Sequence, residues 1–408
     1  MTRDILIVGA GIVGAAVAWQ LARMGHGHRV LVLDRGLPMA GSTSRAAALV
    51  TLLRSEPMQI AMAQETLAAI GHFERLMPGS VGHHPVGSLH VVTREQLPAF
   101  RAQLDTCSAL GIRTQWVDAS YARDRAPWLH VPPDADVLHV QDDCYVDAYQ
   151  LGMAYLQAAQ KGGVALQLQT PVTRLDVRER ILCGVELSSG ECIAASHVVM
   201  AAGSWSNLLT TPAGVPLPMA PVRSQYWITA PSLAIPHDSA IVFMPAIKAY
   251  ARPEVGGLLF GLREAHSAVA DARHLPQDLE GFAFDTQDPQ GWNNLAQGAT
   301  ALEAYWPGLE HAPIAHYVSG PSNYTIDRQL ILGAASTLPG LWVASGCNGS
   351  GITFAAGMGR LLAQQLLGSD PPWLDGTHMA PQRFDSFDPY DTAFLSACAA
   401  ARSGKATG

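Results

Sequence analysis

Asp4-Ile5-Leu6-Ile7-Val8-Gly9-Ala10-Gly11-Ile12-Val13-Gly14 is the stretch whose reading decides the fold. Residues 4–8 have the uninterrupted apolar character of a buried strand. Gly9 permits a sharp turn, Gly11 leaves room for a ligand against the backbone, and Gly14 lets a following helix pack closely on the strand. The apolar run from Ile12 to Leu21 supplies that helix, and its first N–H groups face any bound anion. Val30 to Leu33 reads as a second strand, ending on Asp34, whose carboxylate can accept from both hydroxyls of an adenosine ribose. Strand, glycine turn, helix, second strand and acid fall in register for a dinucleotide site. The motif does not choose between FAD and NAD, but Asp34 would repel a 2′-phosphate.

Outward from this unit, a chain of 408 residues can bury a large core, and its length predicts two domains. Apolar residues make up 48% and charged residues 15%, which excludes wholesale disorder. A formal charge of −8 and the lack of a long Lys/Arg block give no support for a nucleic-acid partner. No segment has the apolar length of a spanning helix, and the start lacks the pattern of a signal peptide. The six cysteines form no CxxC pair, so a reducing cytoplasm is the expected location; Cys183 and Cys192 face each other on a hairpin or are two buried free thiols, the expected reading. His83-His84 has no partner at a metal-ligand spacing, and no metal is expected.

Further along, residues 59–77, 95–110, 147–160 and 355–367 read as helices, with Asp147 as an N-cap. Strands are predicted over residues 87–93, 164–168, 172–177, 181–187, 192–199 and 341–346. Residues 221–330 suggest a second, antiparallel sheet. The tail after Gly368 is Pro-rich, then polar, and its end reads as disordered.

In order along the chain, these pieces resemble the D-amino-acid oxidase/glycine–sarcosine oxidase superfamily of FAD-dependent amine-oxidising enzymes. The resemblance rests on Ile7 to Gly14 with Asp34-Arg35, on Gly41-Ser-Thr-Ser-Arg-Ala-Ala47, on Asp147-Ala-Tyr149, on Val199-Met-Ala-Ala-Gly-Ser-Trp-Ser206, and on Gly320-Pro-Ser-Asn-Tyr-Thr-Ile-Asp327 followed by Gly340 to Ile352. The last block looks most like the sarcosine and dimethylglycine dehydrogenases. The resemblance implies an α/β protein with a glutathione-reductase-like, Rossmann FAD-binding domain and a second, antiparallel-sheet substrate domain. The flavin domain would comprise residues 1–82, 147–220 and 319–370, the substrate domain 83–146 and 221–318, and an extension 371–408.

The same resemblance places FAD against Gly9, Gly11, Ile12, Val13, Gly14, Asp34 and Arg35, and against Ser42, Thr43, Ser44, Arg45 and Ala46. It adds Val172, pairing its backbone with adenine, the turn Ala202, Gly203 and Trp205, then Gly320 and Gly346. The loop Asn348, Gly349, Ser350, Gly351, Ile352 and Thr353 precedes a helix, whose N–H groups would stabilise negative charge on reduced flavin, with Asn348 adding a side-chain bond. Arg45 stands where relatives carry a flavin-linking histidine, and no cysteine lies between Gly320 and Asp327, so FAD should be non-covalent. Arg45 itself touches cofactor, a substrate anion, or an interdomain carboxylate.

For the substrate, Tyr250 and Arg252 fall on one strand face, with Tyr324 as a cap beside the flavin; Arg223 and Tyr226 form a second candidate pair. The expected function is oxidation of the C–N bond of a secondary or tertiary amino acid, sarcosine-like or cyclic, by hydride transfer to flavin N5 and imine hydrolysis. The alternatives are a D-amino-acid dehydrogenase or oxidase releasing ammonia and a 2-oxo acid, and a non-catalytic flavin-binding subunit. Absence of a carboxylate-clamping arginine near Ser322 weighs against a simple glycine or D-amino-acid substrate. Electrons would pass to oxygen or an unidentified acceptor, and the letters are compatible with an oligomer.

Overall fold

The computed structural model describes residues 4–369 and 377–405. The Pro-rich start of the tail lies within 370–376, outside the described residues, as do residues 406–408. Strand Ile5–Val8 sits inside a six-stranded sheet ordered Ile331–Ala334, Leu341–Ser345, His197–Met200, Ile5–Val8, Val30–Leu33, Ala165–Gln167. Every neighbouring pair is parallel except the edge pair 331–334 with 341–345. The opening strand is apolar throughout because both its faces are covered. Ile5 and Ile7 point into a core shared with helices Ile12–Arg23, Pro57–Leu76, Ala148–Lys161 and Gly351–Leu366. Leu6 and Val8 point the other way, against Leu175, Leu182 and Val185 of a three-stranded antiparallel sheet.

The glycines do what their spacing requires. Gly9 has φ +113°, and a Cβ there would stand 2.4 Å from the Ala201 carbonyl oxygen. A Cβ on Gly14 would stand 2.0 Å from the Gly9 carbonyl oxygen, so helix and strand meet only without one. Trp19 then locks three helices together: its ring centroid lies 5.3 Å from that of Phe73 and 5.1 Å from that of Tyr155. Burying each of these rings stabilises the fold by roughly 1.5–3 kcal/mol. Asp147 caps its helix as expected, accepting from the Gln150 N–H at 2.8 Å.

The second sheet has eight strands, ordered Ile314–Thr325, Met219–Thr229, Gly257–Leu262, Ala249–Glu254, Ile241–Met244, Ser88–Thr93, Ala135–Val140, Thr114–Val117. It is antiparallel apart from one parallel contact, Ile241–Met244 with Ser88–Thr93, where strands from two separate stretches of chain meet. A mixed α/β fold with a Rossmann-like sheet and a separate β-rich unit is thus the architecture.

Local differences have physical causes. The run 192–199 divides: Cys192–Ala194 joins the small sheet, while His197–Met200 enters the large parallel one. Cys192 lies opposite Glu186, so it does not face Cys183; both are free thiols, but neither is buried as expected, Cys183 being half-buried and Cys192 exposed on the small sheet. The helix expected from Ala355 begins at Gly351, because the glycines at its start are helical. The polar tail folds back as helix Thr392–Ser403, capped by Asp391 and packed through Phe394 and Cys398 against Ala220, Val222 and Tyr324. His84 stacks on Tyr145, with ring centroids 4.4 Å apart. Among the described residues no helix is long and apolar enough to cross a membrane.

Candidate functional site

The first half of the site is a cradle at the end of the opening strand. Gly11 faces open space, its would-be Cβ meeting only Thr43 Oγ1 at 3.5 Å. Thr43 Oγ1 accepts the Ile12 N–H at 3.1 Å, which ties the Ser42–Ala46 turn to the helix start. Val13 and Gly14 follow in the first helical turn, where N–H groups lack intrahelical acceptors. Asp34 accepts from the Ala10 N–H at 2.7 Å and the Gly36 N–H at 2.8 Å, so its carboxylate is fixed beside the glycine loop with lone pairs left over. Arg35 lies over the Trp205 ring at 4.0 Å, and burial pulls its pKa down. Ser44 bonds the Gly41 carbonyl. Val172 begins the small sheet opposite Leu187.

A single carbonyl joins this cradle to the second sheet. Pro321 O accepts from Ser42 Oγ and, at 3.1 Å, from Ser204 Oγ in the turn after Ala202-Gly203. Gly320 admits the Arg45 stem, since a Cβ on it would lie 2.9 Å from Arg45 Cβ. The Arg45 guanidinium donates to Ala40 O at 2.8 Å and Gly41 O at 3.2 Å, so it rigidifies its own turn while lining the cavity.

The second half is the Gly346–Thr353 loop. Gly346 and Gly349 take φ of +63° and +78°. Asn348, itself at φ +51°, is saturated. Its Oδ1 accepts from the Thr325 N–H at 2.9 Å and the Thr325 hydroxyl at 3.2 Å, and its Nδ2 donates to Gly346 O at 2.7 Å and Gln329 O at 3.1 Å. The side-chain bond expected from Asn348 to a flavin is therefore replaced by a structural role: it shapes the loop. Ser350 offers no side-chain cap, so the N–H groups of Gly351, Ile352 and Thr353 are left for a ligand. Thr353 Oγ1 donates to Leu49 O at 2.9 Å.

Between the halves lies a cavity. Ala46, Tyr324, Gly349, Ser350, Ile352 and Thr353 line one side. Tyr324 presses its hydroxyl to 2.5 Å from where a Gly349 Cβ would be. Opposite stands Tyr250, seated because Gly261 leaves space for its ring; burial pushes its hydroxyl up to about 12, against the pull of Arg402, Arg252 and Arg263. Tyr226 also lines the cavity and is raised by burial.

Arg252 is not brought to this cavity. Its guanidinium pairs with Glu254, donates to Ala47 O at 2.8 Å, and lies 4.5 Å over the Tyr145 ring. Two of its acceptors, Pro253 O and Glu254, lie on its own strand and hold the side chain there, whatever its spacing from Tyr250. Arg223 is likewise taken up, in a buried pair with Glu264.

Besides Arg45, the cavity is lined by cations that were missed from the letters: Arg54, Lys248, Arg263, Arg402 and Lys405. Arg54 follows an apolar run and is wholly buried, donating to Thr51 Oγ1 at 2.6 Å; burial lowers it to about 10. A charge ending such a run was the available signal. Arg263 is also lowered by burial to about 10, and its buried Nη1 has no hydrogen-bond partner among the described residues. Arg402 and Lys405 carried no signal, lying in a polar tail. So many cations around one cavity fit an anionic ligand, and the cradle fits a dinucleotide's pyrophosphate and ribose.

Residues 4–365 match the family model described as DAO, FAD dependent oxidoreductase. The chain is 28% identical over 393 residues to the mitochondrial dimethylglycine dehydrogenase of Rattus norvegicus, covering 93% of this chain and 45% of that protein. It is 26% identical to the glycine oxidase of Geobacillus kaustophilus (strain HTA426), covering 88% of this chain and 92% of the relative. Among solved structures, L-proline dehydrogenase from P. horikoshii superposes with a TM-score of 0.81 at 20% identity, over 94% of this chain and 98% of that one. The chain thus spans under half the length of its dimethylglycine dehydrogenase relative.

Proposed function

The chain belongs to the FAD-dependent oxidoreductase family, and from that premise we propose that it oxidises the carbon–nitrogen bond of a small amino acid held by its carboxylate in the cationic cavity. The cofactor is FAD, bound without a covalent link. When bound, FAD supplies the hydride acceptor at N5 of its ring. The observation that carries the reading is the placement of Arg54, Arg263, Arg402 and Lys405 around one cavity that the Gly349–Thr353 loop also lines.

These residues do three things for such a reaction. The Arg54 guanidinium holds the carboxylate and so orients the adjacent C–H bond. The charge of the cations together disfavours a protonated substrate amine, keeping available the lone pair that stabilises the forming iminium. Tyr250 keeps its proton at neutral pH and offers an O–H donor to the carboxylate. The imine left by hydride loss is then hydrolysed by water.

For a primary amine the products are a 2-oxo acid and ammonia. The glycine oxidase relative supports this deamination reading, because the likeness extends over nearly its whole length. The second reading, oxidation of an N-methyl amine with release of formaldehyde, draws on the dimethylglycine dehydrogenase relative, which carries a large part that this chain does not match. It is the finer reading that the Gly320–Asp327 block suggested.

Anaerobic bleaching of the bound flavin tests both. Glycine, D- and L-amino acids, sarcosine, dimethylglycine and proline are mixed in turn with the yellow protein, and products are assayed. Ammonia with a 2-oxo acid supports deamination; formaldehyde supports the second reading; no bleaching by any of them sinks both. Reoxidation on admitting air identifies oxygen as acceptor, and persistence of the bleached form points to another.

A further inference from the structure

The family match ends at residue 365, yet helix Thr392–Ser403 and the residues after it reach into the cavity. They are held there by several bonds. Arg402 Nη1 donates to Ser267 Oγ at 2.7 Å and to Glu264 Oε2 at 3.3 Å. Ser403 Oγ accepts the Ser267 N–H at 3.0 Å, and Lys248 Nζ donates to Ser403 O at 2.8 Å. Lys405 Nζ donates to Asn348 O at 2.9 Å and Ser350 Oγ at 3.2 Å, on the very loop that lines the cofactor side.

The charges on this wall do not balance. Glu264 is the buried carboxylate at its Arg402 end and already serves Arg223 as well as Arg402, while Asp143 stands behind Arg54 at the other end. Lys405 feels Arg54, Arg263, Arg402 and Arg328, all of its own sign, and burial and these neighbours lower its pKa. Arg263 adds a buried, unpartnered N–H. A cofactor pyrophosphate does not supply the missing charge, because the glycine cradle that suits it is at the Gly11 end. One substrate carboxylate leaves most of the excess in place.

We propose, on the basis of the reading above, that the terminal helix is a specificity element: Arg263, Arg402 and Lys405 receive a second anionic group, so that the preferred substrate is a small amine bearing two carboxylates. One carboxylate adjoins the reacting carbon, and the other lies against the helix end.

The test uses the FAD-loaded protein and non-reacting acids. Calorimetry compares succinate with butyrate, a monocarboxylate of equal carbon number. The proposal expects succinate to bind at least tenfold more tightly, and the ratio to fall toward one in Lys405→Met. Arg402→Gln leaves Glu264 with Arg223, so its folding is checked by thermal melt; Lys405→Met, at the helix end, keeps the test decisive if that variant unfolds. In steady state, Lys405→Met raises KM for an aminodicarboxylate more than tenfold and KM for a monocarboxylate amine far less. Equal binding of succinate and butyrate to the wild type overturns the proposal. So does a Lys405→Met protein that keeps its preference but binds sulfite at the flavin more weakly, which would assign the charge to the cofactor. If no amine bleaches the flavin while succinate selectivity stands, the oxidation reading falls and the anion site survives. If monocarboxylate amines bleach it as readily as aminodicarboxylates, the oxidation reading survives and this inference falls.

Discussion

Asn348 shows how a residue can matter to a ligand it does not touch. Its amide makes every bond it can to Thr325, Gln329 and Gly346, and its backbone occupies the left-handed region that asparagine tolerates better than alanine. Asn348→Ala should lower stability by about 2–3 kcal/mol and weaken FAD affinity at least tenfold, read by chemical denaturation and by flavin titration. Unchanged affinity would mean that the loop holds its shape without the amide. The sequence pointed to Asn348 as part of the loop but not to its bonds, because two of the three partners, Gln329 and Thr325, lie 19 and 23 positions away along the chain. Tyr250 and Arg252 make the same point in reverse. Alternation along a strand placed them on one face, and Tyr250 does line the cavity. The guanidinium of Arg252, at the end of a long stem, follows its nearest acceptors in Glu254 and Ala47 instead.

At the scale of elements, strand Ser88–Thr93 carries a buried polar cluster behind Arg54. Ser88 Oγ donates to Asp143 Oδ2 at 2.6 Å and lies 3.1 Å from His90 Nε2, while Asp143 Oδ1 accepts the Leu52 N–H at 2.8 Å. Burial raises Asp143 to about 7 despite those bonds, and lowers His90 to about 3, helped by Arg54 and His139. Because Asp143 holds its proton more tightly folded than unfolded, its contribution is complete below about pH 4 and is lost as pH rises through 7. His90 acts oppositely: its neutral form stabilises above about pH 6.5, and that contribution is lost as pH falls toward 3. Asp143→Asn should therefore gain on the wild type as pH rises from 4 to 7, by up to about 4 kcal/mol, with a flat difference above pH 8. A Tm difference independent of pH would contradict it. Nothing in the letters announced this cluster, since Asp143 sits in a turn and acquires its neighbours only when two strands and the Leu52 segment meet. The helices and parallel strands were far more legible, because apolar runs and the Asp147 cap are local signals. The tail helix was not, as its apolar face consists mainly of alanines beside Phe394 and Cys398.

For the whole molecule, the cradle, the Ser42–Ala46 turn and the Gly346–Thr353 loop come from distant parts of the chain, and the function proposed above has them share one FAD. FAD removal should lower Tm, and FAD at a hundredfold excess over its Kd should restore about 2.7 kcal/mol; a melt indifferent to FAD would show that these parts are held without it. The order of motifs revealed the Rossmann sheet and the β-rich unit, while the cationic wall depended on which side chains that convergence brought together. The parallel sheet has a kinetic consequence as well. Its strand Ile5–Val8 is made early, but its neighbour His197–Met200 follows almost two hundred residues later, and Leu341–Ser345 later still. Until those arrive, one long margin of an apolar ribbon stays unzipped in water. Such late, non-local pairing slows folding and exposes the nascent chain to self-association, so the polypeptide should depend on chaperone shelter during synthesis far more than its finished, well-buried interior suggests.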